Sequence, residues 1–66
     1  MDLSILIPAF NEQARILQTV DSIRGFLDSR SWSYEILVID DGSDDGTATA
    51  VEQGEADRPG LRCIRA

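Results

Sequence analysis

The sequence predicts an α/β fold, a single β-α-β-α-β unit forming half of a doubly wound parallel sheet with strand order 3-2-1. Three observations carry this. Two short apolar runs rich in β-branched residues, Leu3-Ser4-Ile5-Leu6-Ile7 and Tyr34-Glu35-Ile36-Leu37-Val38-Ile39, flank one segment of helical periodicity. Each run ends in turn chemistry, Pro8-Ala9-Phe10-Asn11-Glu12 after the first and Asp40-Asp41-Gly42-Ser43-Asp44-Asp45-Gly46-Thr47 after the second. A third, partly alternating run, Leu61-Arg62-Cys63-Ile64-Arg65, follows Pro59-Gly60. Right-handed crossovers would then align the carboxyl ends of all three strands on one edge.

The first strand is expected over Leu3 to Ile7, closed by Pro8, whose missing N–H stops a hydrogen-bond ladder. Asn11 offers a side-chain N-cap and Glu12 stands where a helix dipole favours negative charge, so the first helix is expected to begin there. Ile16, Leu17, Val20, Ile23 and Leu27 recur at three- and four-residue spacing, one apolar stripe running to about Asp28. Ser29 to Ser33 is the connecting loop, with Trp32 expected against the sheet edge. Tyr34 to Ile39 is apolar apart from Glu35, the pattern of a central strand covered on both faces. Ser43 or Asp45 would cap a second helix reaching about Glu55, with a thin stripe of Ala48, Ala50 and Val51. Pro59-Gly60 breaks that helix, and Leu61 to Arg65 is the third strand.

Composition limits the function. Sixty-six residues make at most one small domain, and a chain of this size buries only roughly 60% of its unfolded surface, so a complete two-substrate enzyme is not expected within it. Twelve acidic against six basic residues, net charge −6, disfavour binding to nucleic acid or anionic lipid by this segment. The lone Cys63 has no partner for an internal disulfide, reads as a buried structural thiol, and fits a reducing, cytoplasmic setting. The absence of histidine removes the commonest general base and zinc ligand. Leu3 to Ile7 lacks a basic leader and is far too short to span a membrane.

The acidic segment admits several readings. Asp41, Ser43, Asp45, Gly46, Thr47, Thr49 and Glu52 fall on positions 1, 3, 5, 6, 7, 9 and 12 of an EF-hand loop. An EF-hand needs a helix leading into its first ligand, however, and Tyr34 to Ile39 is a strand pattern. A phosphorylated receiver domain would need its acidic pair after the first strand, where this chain has Pro8 to Asn11. In a 3-2-1 sheet the ends of the first two strands adjoin, so Pro8 to Glu12 and Asp40 to Ser43 converge on one crevice at the carboxyl edge. A base and ribose fit such a crevice: carboxylates accept hydrogen bonds from ring N–H groups or hydroxyls, and Phe10 supplies apolar contact. Asp41 is the main functional candidate. Asp40 is expected to order the turn, Ser43, Asp44 and Asp45 to cap, and Gly42 and Gly46 to serve backbone geometry. The alternative class is a non-catalytic module that binds nucleotide or calcium.

Together, Ser4 to Glu12 and Tyr34 to Thr47 resemble the start of the family 2 glycosyltransferases, of the GT-A fold, over essentially the whole chain. Arg15-Ile16, Phe26 to Arg30 and Trp32-Ser33-Tyr34 look most like the branch that moves a sugar onto polyprenyl or dolichyl phosphate, the dolichyl-phosphate glucosyltransferases especially. The resemblance implies that residues 1–66 are the Rossmann-like, nucleotide-binding N-terminal part of a truncated GT-A domain. It implies a parent enzyme that transfers a hexose from a nucleotide-diphosphate sugar, UDP-glucose foremost, to a lipid phosphate. It further implies a nucleotide-sugar pocket lined by Pro8, Ala9, Phe10, Glu12, Ile39 and Asp41. A divalent metal, Mg or Mn, would take its Asp-x-Asp ligands from outside this chain, as would the catalytic residues. The segment alone is therefore expected to be inactive. Membrane contact would come only through the missing parts, at the cytoplasmic face.

Overall fold

The computed structural model describes residues 2–66. Its elements are β1 (Leu3–Ala9), α1 (Ile16–Asp28), β2 (Tyr34–Asp40), α2 (Thr47–Gly54), a 3-10 turn at Glu55–Asp57, and β3 (Leu61–Arg65). β1 pairs with β2 in parallel from Leu3 opposite Tyr34 to Ala9 opposite Asp40, and β2 pairs with β3 from Ile36 opposite Leu61 to Asp40 opposite Arg65. The order β1-β2-β3 is the expected 3-2-1 sheet seen from its other edge.

Strand alternation and this register divide the sheet into two unlike faces. Ala9, Ile36, Val38 and Leu61 join Ile16 and Val20 of α1 and Val51 of α2 in one buried cluster, so both helices cover the same face. The opposite face carries Leu6, Leu37, Ile39 and Ile64, of which Leu6 is 59% and Ile64 45% exposed. β2 is central as expected, but this chain covers it on one side only. Its buried positions alternate accordingly, Ile36, Val38 and Asp40.

Several boundaries differ from the sequence expectation for physical reasons. β1 runs through Pro8 instead of stopping before it. The Asp41 amide donates to the Ala9 carbonyl at 3.0 Å, and successive residues of a strand point their backbone groups to opposite sides, so the missing donor of Pro8 falls on the open edge. α1 begins at Ile16, and no side chain caps it. The Arg15 and Ile16 amides close onto the Glu12 carbonyl at 3.0 and 2.8 Å, and Asn11, with φ of +52°, is a corner residue and not a cap. Trp32 stays 45% exposed. Its ring lies 5.9 Å from the Arg30 guanidinium, which also sits 3.9 Å over Phe26, so it joins a surface cation–π group and does not seal the sheet edge. At α2 the cap position falls on Gly46, which has no side chain to bond. Asp45 does part of that work, its carboxylate accepting from the Thr47 amide at 2.9 Å. Ala48 and Val51 are buried as the thin stripe required, joined by Thr47, which sequence reasoning left out of the core.

Candidate functional site

The site is built where β1 and β2 end side by side. Each strand passes into a turn that needs one left-handed residue, Asn11 with φ of +52° and Gly42 with φ of +72°. Asparagine tolerates that conformation better than most residues and glycine adopts it freely.

The two turns are then laced together. The Asn11 amide donates to Ser43 Oγ at 2.9 Å, and Asn11 Oδ1 accepts from the Asp44 amide at 2.8 Å. The Glu12 amide donates to Thr47 Oγ1 at 2.9 Å and the Gln13 amide to Asp45 Oδ2 at 3.2 Å. Gln13 Oε1 accepts from the Gly46 amide at 2.9 Å. Within the second turn the Ser43 hydroxyl donates to Asp40, a carboxylate only 5% exposed. Thus Asp40 orders the turn as expected, while Ser43 braces it instead of capping α2. Asp45 takes the Thr47 hydroxyl as well as its amide. That hydroxyl foremost, with the Thr47 and Gln13 amides, holds the Asp45 carboxyl below the usual carboxylate range.

Against this frame the predicted pocket residues divide. Ala9 is buried, and its carbonyl anchors the Asp41 amide. Pro8 and Ile39 are partners in register, on the sheet face away from the helices. Phe10 is 54% exposed. Asp41 is exposed, and among the described residues its carboxylate takes no hydrogen bond. Glu12 turns toward the start of α1, where its carboxylate meets Arg15 at 3.3 Å. With Ile7, Pro8, Ile16 and Thr19 it lines an open pocket of about 230 Å³ beside β1, which Phe10, Ile39 and Asp41 do not line.

Sequence reasoning passes over Gln13 altogether and expects Asn11 only as a cap and Thr47 only as a turn residue, whereas all three build the site. Only their polarity at a strand-to-helix corner could have drawn attention to them. Cys63 is half-buried and not fully buried as expected, and burial foremost, aided by the nearby Glu52 and Asp40 charges, pushes its thiol up from the ordinary value.

The calcium reading has no geometric support. A strand, Tyr34–Asp40, leads into the first would-be ligand, and α2 starts at Thr47, inside the would-be loop. Glu52, the bidentate position, pairs instead with Arg65 at 2.8 Å. Among the described residues no three carboxylates or thiols converge to hold a cation. Nor is any helix there long and apolar enough to cross a membrane.

Residues 4–66 match the family described as Glycosyl transferase family 2. The chain is similar to a dolichyl-phosphate beta-glucosyltransferase of Dictyostelium discoideum, 46% identical over 54 residues that cover 74% of this chain and 16% of the relative. A dolichyl-phosphate beta-glucosyltransferase of Drosophila melanogaster is 33% identical over 70 residues, covering 98% of this chain and 21% of the relative. An undecaprenyl-phosphate 4-deoxy-4-formamido-L-arabinose transferase of Edwardsiella ictaluri is 36% identical over 62 residues, covering 94% of this chain and 19% of the relative. The chain therefore spans about a fifth of the length of these relatives or less.

Proposed function

The chain belongs to glycosyl transferase family 2, and from that premise we propose that it forms the nucleotide-binding part of an enzyme that transfers a hexose from a nucleotide-diphosphate sugar to a polyprenyl or dolichyl phosphate. UDP-glucose is the donor we favour. The acceptor class is supported by the lipid phosphates in the names of the relatives. One observation carries the site: five hydrogen bonds knit the turns after β1 and β2 into one frame that leaves the side chains of Phe10 and Asp41 outside the lacing. Free side chains on a rigid frame suit recognition, because little ordering entropy is lost when a ligand binds.

In this reading Asp41 accepts hydrogen bonds from the base or ribose, and Phe10 gives apolar contact to the same group. Pro8 and Ile39 shape the crevice floor, Ala9 anchors the turn of Asp41 through its carbonyl, and Glu12 borders the adjoining pocket. A divalent metal would neutralise charge on the leaving diphosphate, but the carboxylates present here do not fit one. Its ligands would lie outside this chain, as would the catalytic groups. The enzyme would work at the cytoplasmic face of a membrane, reached through parts outside this segment.

The test is a titration of the chain with UDP, followed by amide chemical shifts. Shifts confined to residues 8–12 and 39–43, lost in Asp41→Ala, are expected. Equal UDP affinity for wild type and Asp41→Ala would refute the assignment.

A further inference from the structure

We propose that Gln13 is a positioning residue of the donor pocket. It fills the space left by the missing side chain of Gly46, latches the turn after β1 to the turn after β2, and so fixes where Phe10 and Asp41 stand. This rests on the nucleotide-binding reading above.

Gly46 shows why. Its φ of −86° is open to any residue, so backbone freedom does not call for glycine there. Space does. A Cβ at this position would lie 2.9 Å from Gln13 Nε2, closer than real Cβ atoms come, and 3.0 and 3.1 Å from Cδ and Oε1, tighter than most contacts, so the end of the Gln13 side chain would have to move. The side-chain amide of Gln13 thus rests directly on the backbone of Gly46. It accepts the Gly46 N–H at 2.9 Å while the Gln13 N–H goes to Asp45 Oδ2 at 3.2 Å. The pairing is reciprocal in the manner of a capping box, each turn giving one amide and taking one, but it joins two separate segments.

Only Asn11 and Glu12 separate Gln13 from Phe10. Both spend their amides on the facing turn, on Ser43 and Thr47. Asn11 also sits in the left-handed region, which asparagine tolerates better than most residues but at some cost relative to extended backbone. Ser43 and Asp44 enforce it from one side, and the Gln13–Gly46 latch closes the segment on the other. Without the latch Asn11 can relax toward extended backbone, which would swing Phe10 and loosen Ser43 from its place two residues after Asp41. The Gln13 acceptor oxygen is already committed, so this residue acts through Phe10 and Asp41.

The experiment is UDP titration of the isotope-labelled chain, where the shifts give the Kd and the intensity of folded resonances gives the folded population separately. Gln13→Ala should weaken UDP binding about three- to tenfold, the size of one lost hydrogen bond, in the molecules that remain folded. Gln13→Glu keeps the acceptor oxygen and should stay within about twofold of wild type. Gly46→Ala should weaken binding by displacing the Gln13 side chain. The double variant Gln13→Ala/Gly46→Ala should be no worse than Gln13→Ala alone, because both changes break one latch. An unchanged Kd in Gln13→Ala, additive losses in the double variant, or a loss that only tracks folded population would each overturn the proposal. If Asp41→Ala abolishes binding while Gln13→Ala leaves it intact, the latch fails and the nucleotide reading stands. If wild type does not bind UDP, both fail.

Discussion

Ser43→Ala isolates the brace that holds the acidic turn. In the folded chain the Ser43 hydroxyl donates to Asp40, whose carboxylate is 5% exposed, and its oxygen accepts the Asn11 amide at 2.9 Å. Removing the hydroxyl leaves a buried carboxylate oxygen without its donor. A hydrogen bond to a charged group contributes about 1.5–3 kcal/mol, whereas the exposed Asn11 amide can turn to water and costs about 0.5 kcal/mol. We expect a total loss of about 2–3.5 kcal/mol, a large share of what a domain this small can hold. At an unfolding entropy of about 0.14 kcal/mol/K for this length, Tm would fall by about 14–25 °C. Urea unfolding followed by far-UV circular dichroism reads the loss directly. Asp44→Ala is the control, because its carboxylate makes no bond among the described residues, and it should cost under about 0.5 kcal/mol. Equal destabilisation by the two variants, or a loss below about 0.5 kcal/mol in Ser43→Ala, would refute the bracing role.

Three further outcomes are expected. The chain alone should show no transfer from UDP-glucose to polyprenyl phosphate with or without manganese, since among the described residues neither a metal site nor a basic cluster adjoins the crevice; acceptor-dependent release of UDP by the purified chain would contradict this. The carboxyls of Asp21, Asp45 and Glu52 are all held below their ordinary values of 3.8, 3.8 and 4.5, by Arg58, by Thr47 and by Arg65 foremost. Their stabilisation is therefore full above those values and lost as pH falls through the lower folded ones, so stability should decline below about pH 4 and decline less in Asp45→Asn. Finally, the uncovered face with Leu6 and Ile64 should make thermal unfolding broad and dependent on protein concentration. Leu6→Lys should remove that dependence in sedimentation experiments, and a sharp monomeric melt of wild type would show the face to be self-sufficient.

The architecture was legible because its signals are local. The β-branched runs, the stripe from Ile16 to Leu27 and the stop at Pro59-Gly60 each act within a few residues, and β3 matches its sequence bounds. What could not be read were pairings between distant positions. Asn11 is a good N-cap by type, yet Asp44, 33 residues away, claims its side chain. Gly46 looks like a turn glycine, yet an added Cβ there would meet the side-chain amide of Gln13, 33 residues away. Pro8 looks like a stop signal, and only the sheet order shows that its missing donor costs nothing there. The placement of both helices on one face likewise follows from the register of all three strands and not from any one run.

Pro8 also governs what could be added to this sheet. Ser4 and Leu6 share its alternation, so their N–H groups point away from β2 and can bind a further parallel neighbour outside β1. At Pro8 that ladder has no donor. A strand joining this edge would find an acceptor but no donor at Pro8, so the pairing would be weakest toward its carboxyl end. That end of the edge borders the 230 Å³ pocket, which Pro8 lines with Glu12 and Thr19. A proline within β1 thus limits how far any added strand can be hydrogen-bonded along this edge.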